Sequence, residues 1–125
     1  MGVVLDHTII PVQDTAEAAR FYAEVLGLRD EGQTGPFAVV RVNDSTTLDF
    51  TEGDPGRGRH YAFAMTPEEF DAAFERIRAA GISYGDGPFA AKNMQGPGET
   101  PGARGMGRAV YFYDPFGHLL EIKSY

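Results

Sequence analysis

The chain has 125 residues, 42 % of them hydrophobic, and a formal net charge of −7, which fits one compact domain with a real core. The acidic balance argues against nucleic acid or an anionic membrane surface as a partner. The lack of cysteine excludes disulfides, thiolate metal sites and a cysteine nucleophile. No apolar run approaches a membrane span of roughly 20 residues, and the N-terminus has no secretory pattern, so a cytoplasmic protein is expected.

The first half of the chain predicts one helix among four strands. Asp14 is a good N-cap with Glu17 three positions later, and Gly27 ends the helical pattern. Strands are predicted over residues 3–12, 28–31, 37–42 and 46–51. Glycine and proline then dominate residues 53–58, which marks a boundary between two modules at about residues 1–52 and 59–125.

The second half repeats this order. Thr66-Pro67-Glu68-Glu69 is a capping box with proline at the first helical position, which is a specific helix-start signal, and Gly81 ends the helix. Strands are predicted over residues 59–65, 82–84, 108–113 and 118–123. Residues 88–107 hold five glycines and three prolines and predict a long irregular loop. The element order is therefore βαβββ twice, with a loop inserted in the second module.

One histidine and one carboxylate occupy matching positions in each module. His60 aligns with His7, and Glu121 aligns with Asp49. From His7 to Asp49 is 42 positions and from His60 to Glu121 is 61, and the inserted loop accounts for the difference. Because side chains alternate along a strand, Asp49, His60 and Glu121 are expected on the sheet face that the helix does not cover. The face of His7 is less clear from the pattern.

A lone histidine on a strand is more often a surface or satisfied core residue than a ligand. The matched histidine–carboxylate positions in a duplicated unit favour the ligand interpretation for His7 and His60. His118 lacks such a match and is expected to be a loop residue with local hydrogen bonds. Asp6 and Asp114 are expected to be turn or strand-edge residues.

Four segments carry a resemblance to a known family: residues 5–8, 21–28, 60–63 and 113–122, the last with an Asp-Pro-x-Gly turn before a strand that contains Glu121. The chain resembles the vicinal oxygen chelate superfamily, which includes glyoxalase I, extradiol ring-cleaving dioxygenases, fosfomycin-resistance enzymes and bleomycin-binding proteins. The resemblance implies an α+β fold in which two βαβββ modules form one domain over residues 1–125. Their curved mixed sheets would surround a metal cavity.

The resemblance also implies a metal site. In glyoxalase I-like members, the positions that match His7, Asp49, His60 and Glu121 bind one divalent metal, for which Zn, Ni, Co, Mn and Fe(II) are all suitable. Glu121 is then the candidate catalytic base that moves a proton between adjacent carbons. Glyoxalase I has glutamate where this chain has the shorter Asp49. Without Asp49, the remaining two histidines and one carboxylate suit Fe(II) oxygen chemistry.

Three functions remain open from the sequence. The first is a metal-dependent lyase or isomerase of glyoxalase I type, acting on a small substrate chelated through adjacent oxygens. The alternatives are an Fe(II) ring-cleaving-type dioxygenase and a bleomycin-resistance-type drug-binding protein. Candidates at all four metal positions favour an enzyme. A fosfomycin-type enzyme is disfavoured because no counterpart of its cation-binding loop is visible.

The resemblance further implies a homodimer in which one subunit contributes His7 and Asp49 and the other contributes His60 and Glu121. The link over residues 53–58 is short and flexible enough for this arrangement or for pairing within one chain. Candidate substrate contacts are Arg104, Arg108, Tyr113 and Met94. The 88–107 loop is expected either to be a mobile cover that closes on substrate, or to be a static surface loop.

Overall fold

A computed structural model describes residues 2–125 of the chain. The chain forms two compact units whose boundary lies between Gly56 and Arg57, inside the stretch that the sequence marks as a module boundary. We call them unit 1 and unit 2. Neither helix within residues 2–125 has the length and apolar character needed to span a bilayer.

Unit 1 contains one helix and one four-stranded sheet. Its elements are β1 (His7–Val12), α1 (Thr15–Leu26), β2 (Arg29–Thr34), β3 (Phe37–Arg41) and β4 (Thr47–Glu52). The sheet order is β1-β4-β3-β2, with β1 and β4 parallel and the other pairs antiparallel. As predicted, Asp14 caps α1 by accepting the N–H of Glu17, and Gly27 ends it with a φ of 75°.

Unit 2 repeats the same topology. Its elements are β5 (His60–Ala64), α2 (Pro67–Ala79), β6 (Gly98–Gly102), β7 (Gly105–Tyr113) and β8 (Leu119–Ser124). The sheet order is β5-β8-β7-β6, again with one parallel pair, β5 and β8. The predicted capping box is present, with both reciprocal hydrogen bonds between Thr66 and Glu69. The predicted α+β fold of two βαβββ modules is confirmed.

The two units also match in strand register. In unit 1 His7 pairs with Thr47, two residues before Asp49. In unit 2 His60 pairs with Leu119, two residues before Glu121. Each histidine therefore lies on the same parallel strand pair as its carboxylate and at the same offset.

The helix covers one face of each sheet, and the histidine and carboxylate lie on the other. In unit 1 the fully buried Tyr22 of α1 packs on Phe50, with ring centroids 4.7 Å apart. In unit 2 Leu120 and Ile122 are fully buried on the face toward α2. Because side chains alternate, Asp49 and Glu121 project from the opposite faces, as predicted. His7 also belongs to that face, since Ile10 and Val12 are the buried residues of β1.

Several predicted boundaries were wrong. β1 begins at His7 rather than at Val3, because its partner strand β4 begins at Thr47, opposite His7. The strand predicted over residues 82–84 is absent, and Gly85 forms a single bridge to Tyr111 instead. The chain folds back tightly there, since a Cβ on Gly85 would lie 1.6 Å from the Ala90 carbonyl oxygen.

The predicted irregular loop contains regular structure. Residues Gly98–Gly102 form β6, and β7 begins at Gly105 rather than at Arg108. The pattern hid this hairpin because β6 is an edge strand of small and polar residues with no apolar alternation. Earlier in the segment Ala91 is buried against Ala109 and Tyr111. Motion of residues 88–107 on ligand binding stays a prediction.

Gly58 allows the chain to enter β5 against the turn before β8. It has a φ of +80°, and a Cβ there would lie 2.2 Å from the Gly117 carbonyl oxygen. Gly56 is a matched control, because its φ is +63° and a Cβ would meet nothing within 4 Å. Gly56→Ala should cost about 1 kcal/mol of unfolding free energy from backbone strain alone. Gly58→Ala should cost about 2 kcal/mol more, because the turn has to move. Equal losses in urea denaturation would show that the close approach does not matter.

Candidate functional site

His60 and Glu121 form a close pair on the open face of the unit 2 sheet. Their Nε2 and Oε1 atoms lie 3.2 Å apart. The Glu121 side chain is 5 % exposed, whereas the His60 side chain is 46 % exposed. The pair therefore combines a buried carboxylate with an imidazole that reaches the surface.

The hydrogen bonding of the His60 ring determines what its other nitrogen can do. Nδ1 lies 3.0 Å from the carbonyl oxygen of Leu119, which only accepts, so Nδ1 carries a proton and donates. In the neutral ring Nε2 is then an acceptor that faces the acceptor Oε1 of Glu121. Two acceptors at this distance need a positive centre between them, either a proton or a metal ion. A histidine whose second nitrogen donates to a backbone carbonyl is typical of metal ligands.

The second carboxylate oxygen of Glu121, Oε2, also lacks a hydrogen-bond donor within residues 2–125, although it is buried. It has an ionic contact, since Lys123 Nζ lies 3.3 Å away. Buried oxygens without hydrogen bonds are rare in folded proteins, and a position that takes part in binding a cation is one physical explanation. The donor set of histidine nitrogen and carboxylate oxygen fits a divalent metal.

Three further residues, Lys123, Thr100 and Tyr111, organise the pair. Lys123 Nζ donates to the Thr100 carbonyl oxygen at 2.7 Å and to its hydroxyl at 2.9 Å. The Tyr111 hydroxyl donates to the same Thr100 hydroxyl at 3.0 Å. The Tyr111 ring lies nearly parallel to the His60 ring, with centroids 6.1 Å apart. Strand alternation already put Lys123 on the face of Glu121, which was the signal that could have identified it.

Tyr111 is buried close to the negatively charged Glu121. Burial raises the pKa of its hydroxyl, and the charge of Glu121 raises it further, while the bond to Thr100 lowers it. The hydroxyl therefore stays protonated around neutral pH and remains a hydrogen-bond donor to Thr100.

A cavity of about 310 Å³ opens beside the pair. Small apolar residues form much of its wall, and Glu121, Lys123 and His60 supply the charged and polar groups. Its lining residues are His60, Ala62, Ala64, Pro101, Gly102, Ala103, Glu121, Lys123 and Tyr125. Mainly apolar walls with a few convergent polar groups are typical of small-molecule sites.

Unit 1 presents the second histidine and carboxylate. His7 Nδ1 donates to Asp6 Oδ2 at 2.7 Å, which leaves Nε2 as the available nitrogen. This hydrogen bond is the main cause of a raised pKa for His7, and the charges of Asp49 and Asp6 add to it. Asp49 is half-buried, and its Oδ1 accepts the Thr47 hydroxyl at 2.8 Å. Asp6 was predicted as a turn or strand-edge residue, and the structure gives it a contact with the candidate ligand.

No group of three or more histidine, aspartate or glutamate side chains suited to a metal occurs within residues 2–125. Each unit instead presents one histidine and one carboxylate. The predicted joint site of His7, Asp49, His60 and Glu121 therefore stays a prediction.

The candidate substrate contacts lie in different places. Arg104 lies over the ring of Tyr125, one of the cavity-lining residues, at 5.3 Å from its centroid. Arg108 faces α2, where Nη1 lies 3.4 Å from Asp71 and the guanidinium stacks on Phe70. Tyr113 is 40 % exposed beside Lys92, and Met94 is 52 % exposed.

His118 and Asp114 hold the turn that leads into β8. His118 is fully buried, and its Nδ1 accepts the backbone N–H of Arg59 at 2.9 Å. Asp114 Oδ1 accepts the N–H groups of Phe116 and His118, as a turn residue should. The local hydrogen bonds predicted for His118 are present, and its ring also makes a long-range contact that fixes the residue before His60.

Comparison with known proteins agrees with this fold. The sequence model of the Glyoxalase/Bleomycin resistance protein/Dioxygenase superfamily matches residues 4–122. The structure of oxidase ChaP-H1 is similar with a TM-score of 0.84 at 39 % identity, covering 99 % of this chain and 97 % of that one. The structure of oxidase ChaP-H2 has a TM-score of 0.83 at 36 % identity, covering 100 % and 95 %.

A curated relative is the fosfomycin resistance protein FosX of Listeria monocytogenes, 26 % identical over 96 % of this chain and 88 % of the relative. These matches cover nearly the whole chain and include proteins described as enzymes. The chain belongs to the Glyoxalase/Bleomycin resistance protein/Dioxygenase superfamily.

Proposed function

We propose that this protein is a metal-dependent enzyme in which His60 and Glu121, together with His7 and Asp49, bind one divalent metal ion. The observation that carries the proposal is the buried Glu121 carboxylate. One of its oxygens faces the acceptor nitrogen of His60 at 3.2 Å, and the other has no hydrogen bond. A cation held by the imidazole nitrogen and the carboxylate would resolve the contact between these two acceptors.

The chain's own residues supply the orientation of these ligands. The Leu119 carbonyl fixes the tautomer of His60, and Asp6 does the same for His7. The metal, when bound, would act as a Lewis acid toward a small substrate that chelates it through two adjacent oxygens. The cavity beside Glu121 would exclude water from the bound substrate, and Arg104, which lies over the lining residue Tyr125, would attract an anionic group.

Oxygen-dependent oxidation is the reaction class that we favour. Its support is the similarity to two oxidases at 36 % and 39 % identity over nearly full length. In addition, Asp49 is shorter than the glutamate of glyoxalase I, and one of its oxygens is engaged by Thr47. His7, His60 and Glu121 would then form a two-histidine, one-carboxylate set suited to Fe(II). The sequence alone ranked the glyoxalase type first.

A lyase or isomerase of glyoxalase I type is the second candidate. The burial of Glu121 favours it, because a carboxylate in a mostly apolar cavity is suited to take a proton from a carbon acid. A drug-binding protein without metal is the third function that the family offers. The isomerase and the drug-binding protein differ from an oxidase in the metal that they bind and in their consumption of O₂.

Metal binding should depend on the His60–Glu121 pair. His60→Ala and Glu121→Gln should each weaken the binding of a divalent metal by about 100-fold or more, since even residues behind the ligands typically contribute 10–100-fold. Glu99→Gln is the matched control, because Glu99 is an exposed carboxylate on β6. The measurement is a competition titration against a chelator. Unchanged affinity in both site variants would show that the metal binds elsewhere or not at all.

Metal identity should separate the reaction classes. Protein purified without oxygen or chelators should contain iron. Its Fe(II) form should consume O₂ with members of a panel of small substrates that carry two adjacent oxygens, and the His60→Ala form should not. Zinc, nickel or cobalt with proton exchange at carbon and no O₂ uptake would contradict the oxidase and support the isomerase. Tight binding of a small molecule by metal-free protein, with neither reaction, would support the drug-binding function.

We also propose a homodimer with shared sites, His7 and Asp49 coming from one subunit and His60 and Glu121 from the other. Mixing His7→Ala with Glu121→Ala protein should then restore metal binding to one intact site per mixed dimer. Sites built within one chain would stay damaged in every mixture. Binding that does not recover, or a monomeric mass at working concentration, would rule out the shared arrangement.

A further inference from the structure

Lys123 is a buried cation beside the proposed metal ligand Glu121. Its side chain is only 3 % exposed, and its Nζ lies 3.3 Å from Glu121 Oε2. Two short hydrogen bonds to Thr100 and a longer one to the Gly107 carbonyl oxygen, at 3.4 Å, hold the ammonium in place. The side chain is therefore fixed between β8 and the β6–β7 hairpin.

This placement is costly unless Lys123 compensates a charge. Burying an isolated ammonium or carboxylate is unfavourable, and the two groups offset that penalty for each other at close range. The ammonium would also repel a metal cation bound to the same carboxylate, because like charges repel more strongly in a protein interior than in water. A lysine at this position therefore stabilises the metal-free site and weakens the binding of a metal ion.

We propose that Lys123 is a positioning residue that serves as the built-in counter-ion of Glu121 and thereby limits the metal affinity of the site. Without metal, Lys123 neutralises the buried carboxylate and keeps Oε1 directed toward His60. With metal, the same charge weakens binding. The statement about metal affinity rests on the proposed function, whereas the counter-ion role does not.

The counter-ion role is tested on metal-free protein with a double-mutant cycle. Lys123→Met should lower the melting temperature of the wild type by at least about 5 °C, because it leaves Glu121 buried without a partner. On the Glu121→Gln background, the same substitution should have less than half of that effect. Equal losses on both backgrounds would show that Lys123 acts only through packing and the hairpin, which overturns the proposal.

The effect on the metal is tested by chelator competition with Mn²⁺ and Zn²⁺. Lys123→Gln keeps hydrogen-bonding ability toward Thr100 and is the variant to use if Lys123→Met does not fold. Either variant should bind metal about tenfold more tightly than the wild type or better. Arg78→Met, which removes an exposed charge paired with Glu75 on α2, should leave the affinity unchanged.

Thr100→Val distinguishes the effect of the Lys123 charge from the effect of its attachment to the hairpin. The substitution removes one hydrogen-bond partner of Lys123 and keeps the ammonium. It should show no gain in metal affinity. A gain equal to that of Lys123→Gln would overturn the counter-ion proposal. If the wild type binds no metal in a His60-dependent way, the proposed function fails instead. If it does bind and Lys123→Gln gives no gain, this inference alone fails.

Discussion

The burial of the Glu121 carboxylate is the constraint around which unit 2 is arranged. A carboxylate whose side chain is 5 % exposed has lost most of its hydration and needs compensating charge or hydrogen bonds. The protein supplies the ammonium of Lys123 on one side and the His60 ring on the other. The β6–β7 hairpin contributes through Thr100, which holds both Lys123 and Tyr111. The fold brings charged groups together where a core would otherwise be apolar, which is why we propose that the functional site lies here.

The two units show how one topology can be specialised. Their strand order and histidine–carboxylate register are the same, but the surroundings differ. In unit 1 His7 donates to a neighbouring carboxylate, Asp6, and is exposed. In unit 2 His60 donates to a backbone carbonyl and faces a buried carboxylate. In the proposed site, unit 1 would add a more basic imidazole and unit 2 the buried anion.

Local signals in the sequence predicted both helices and most of the strands. The capping box at Thr66, the N-cap at Asp14 and the period-2 alternation in β4 each have a direct physical cause, and each prediction is confirmed. In β8 every residue from Leu120 to Ser124 is buried, so its alternation does not appear as a burial pattern. The edge strand β6 was missed because its pairing is backbone hydrogen bonding to β7, which leaves no trace in side-chain pattern. The contacts of Lys123 were missed for a related reason. Thr100 is 23 positions away in the chain, and only the hairpin brings it close.

We propose that a divalent metal binds between His60 and Glu121. A crystal structure of the metal-loaded protein, with diffraction recorded at the absorption edge of that metal, would test this directly. We expect an anomalous peak about 2.0–2.2 Å from His60 Nε2 and from a Glu121 carboxylate oxygen. We also expect the Leu119 carbonyl still to accept the Nδ1 proton of His60. A fully loaded protein with the metal at other residues, and with His60 and Glu121 still in contact at 3.2 Å, would contradict this proposal.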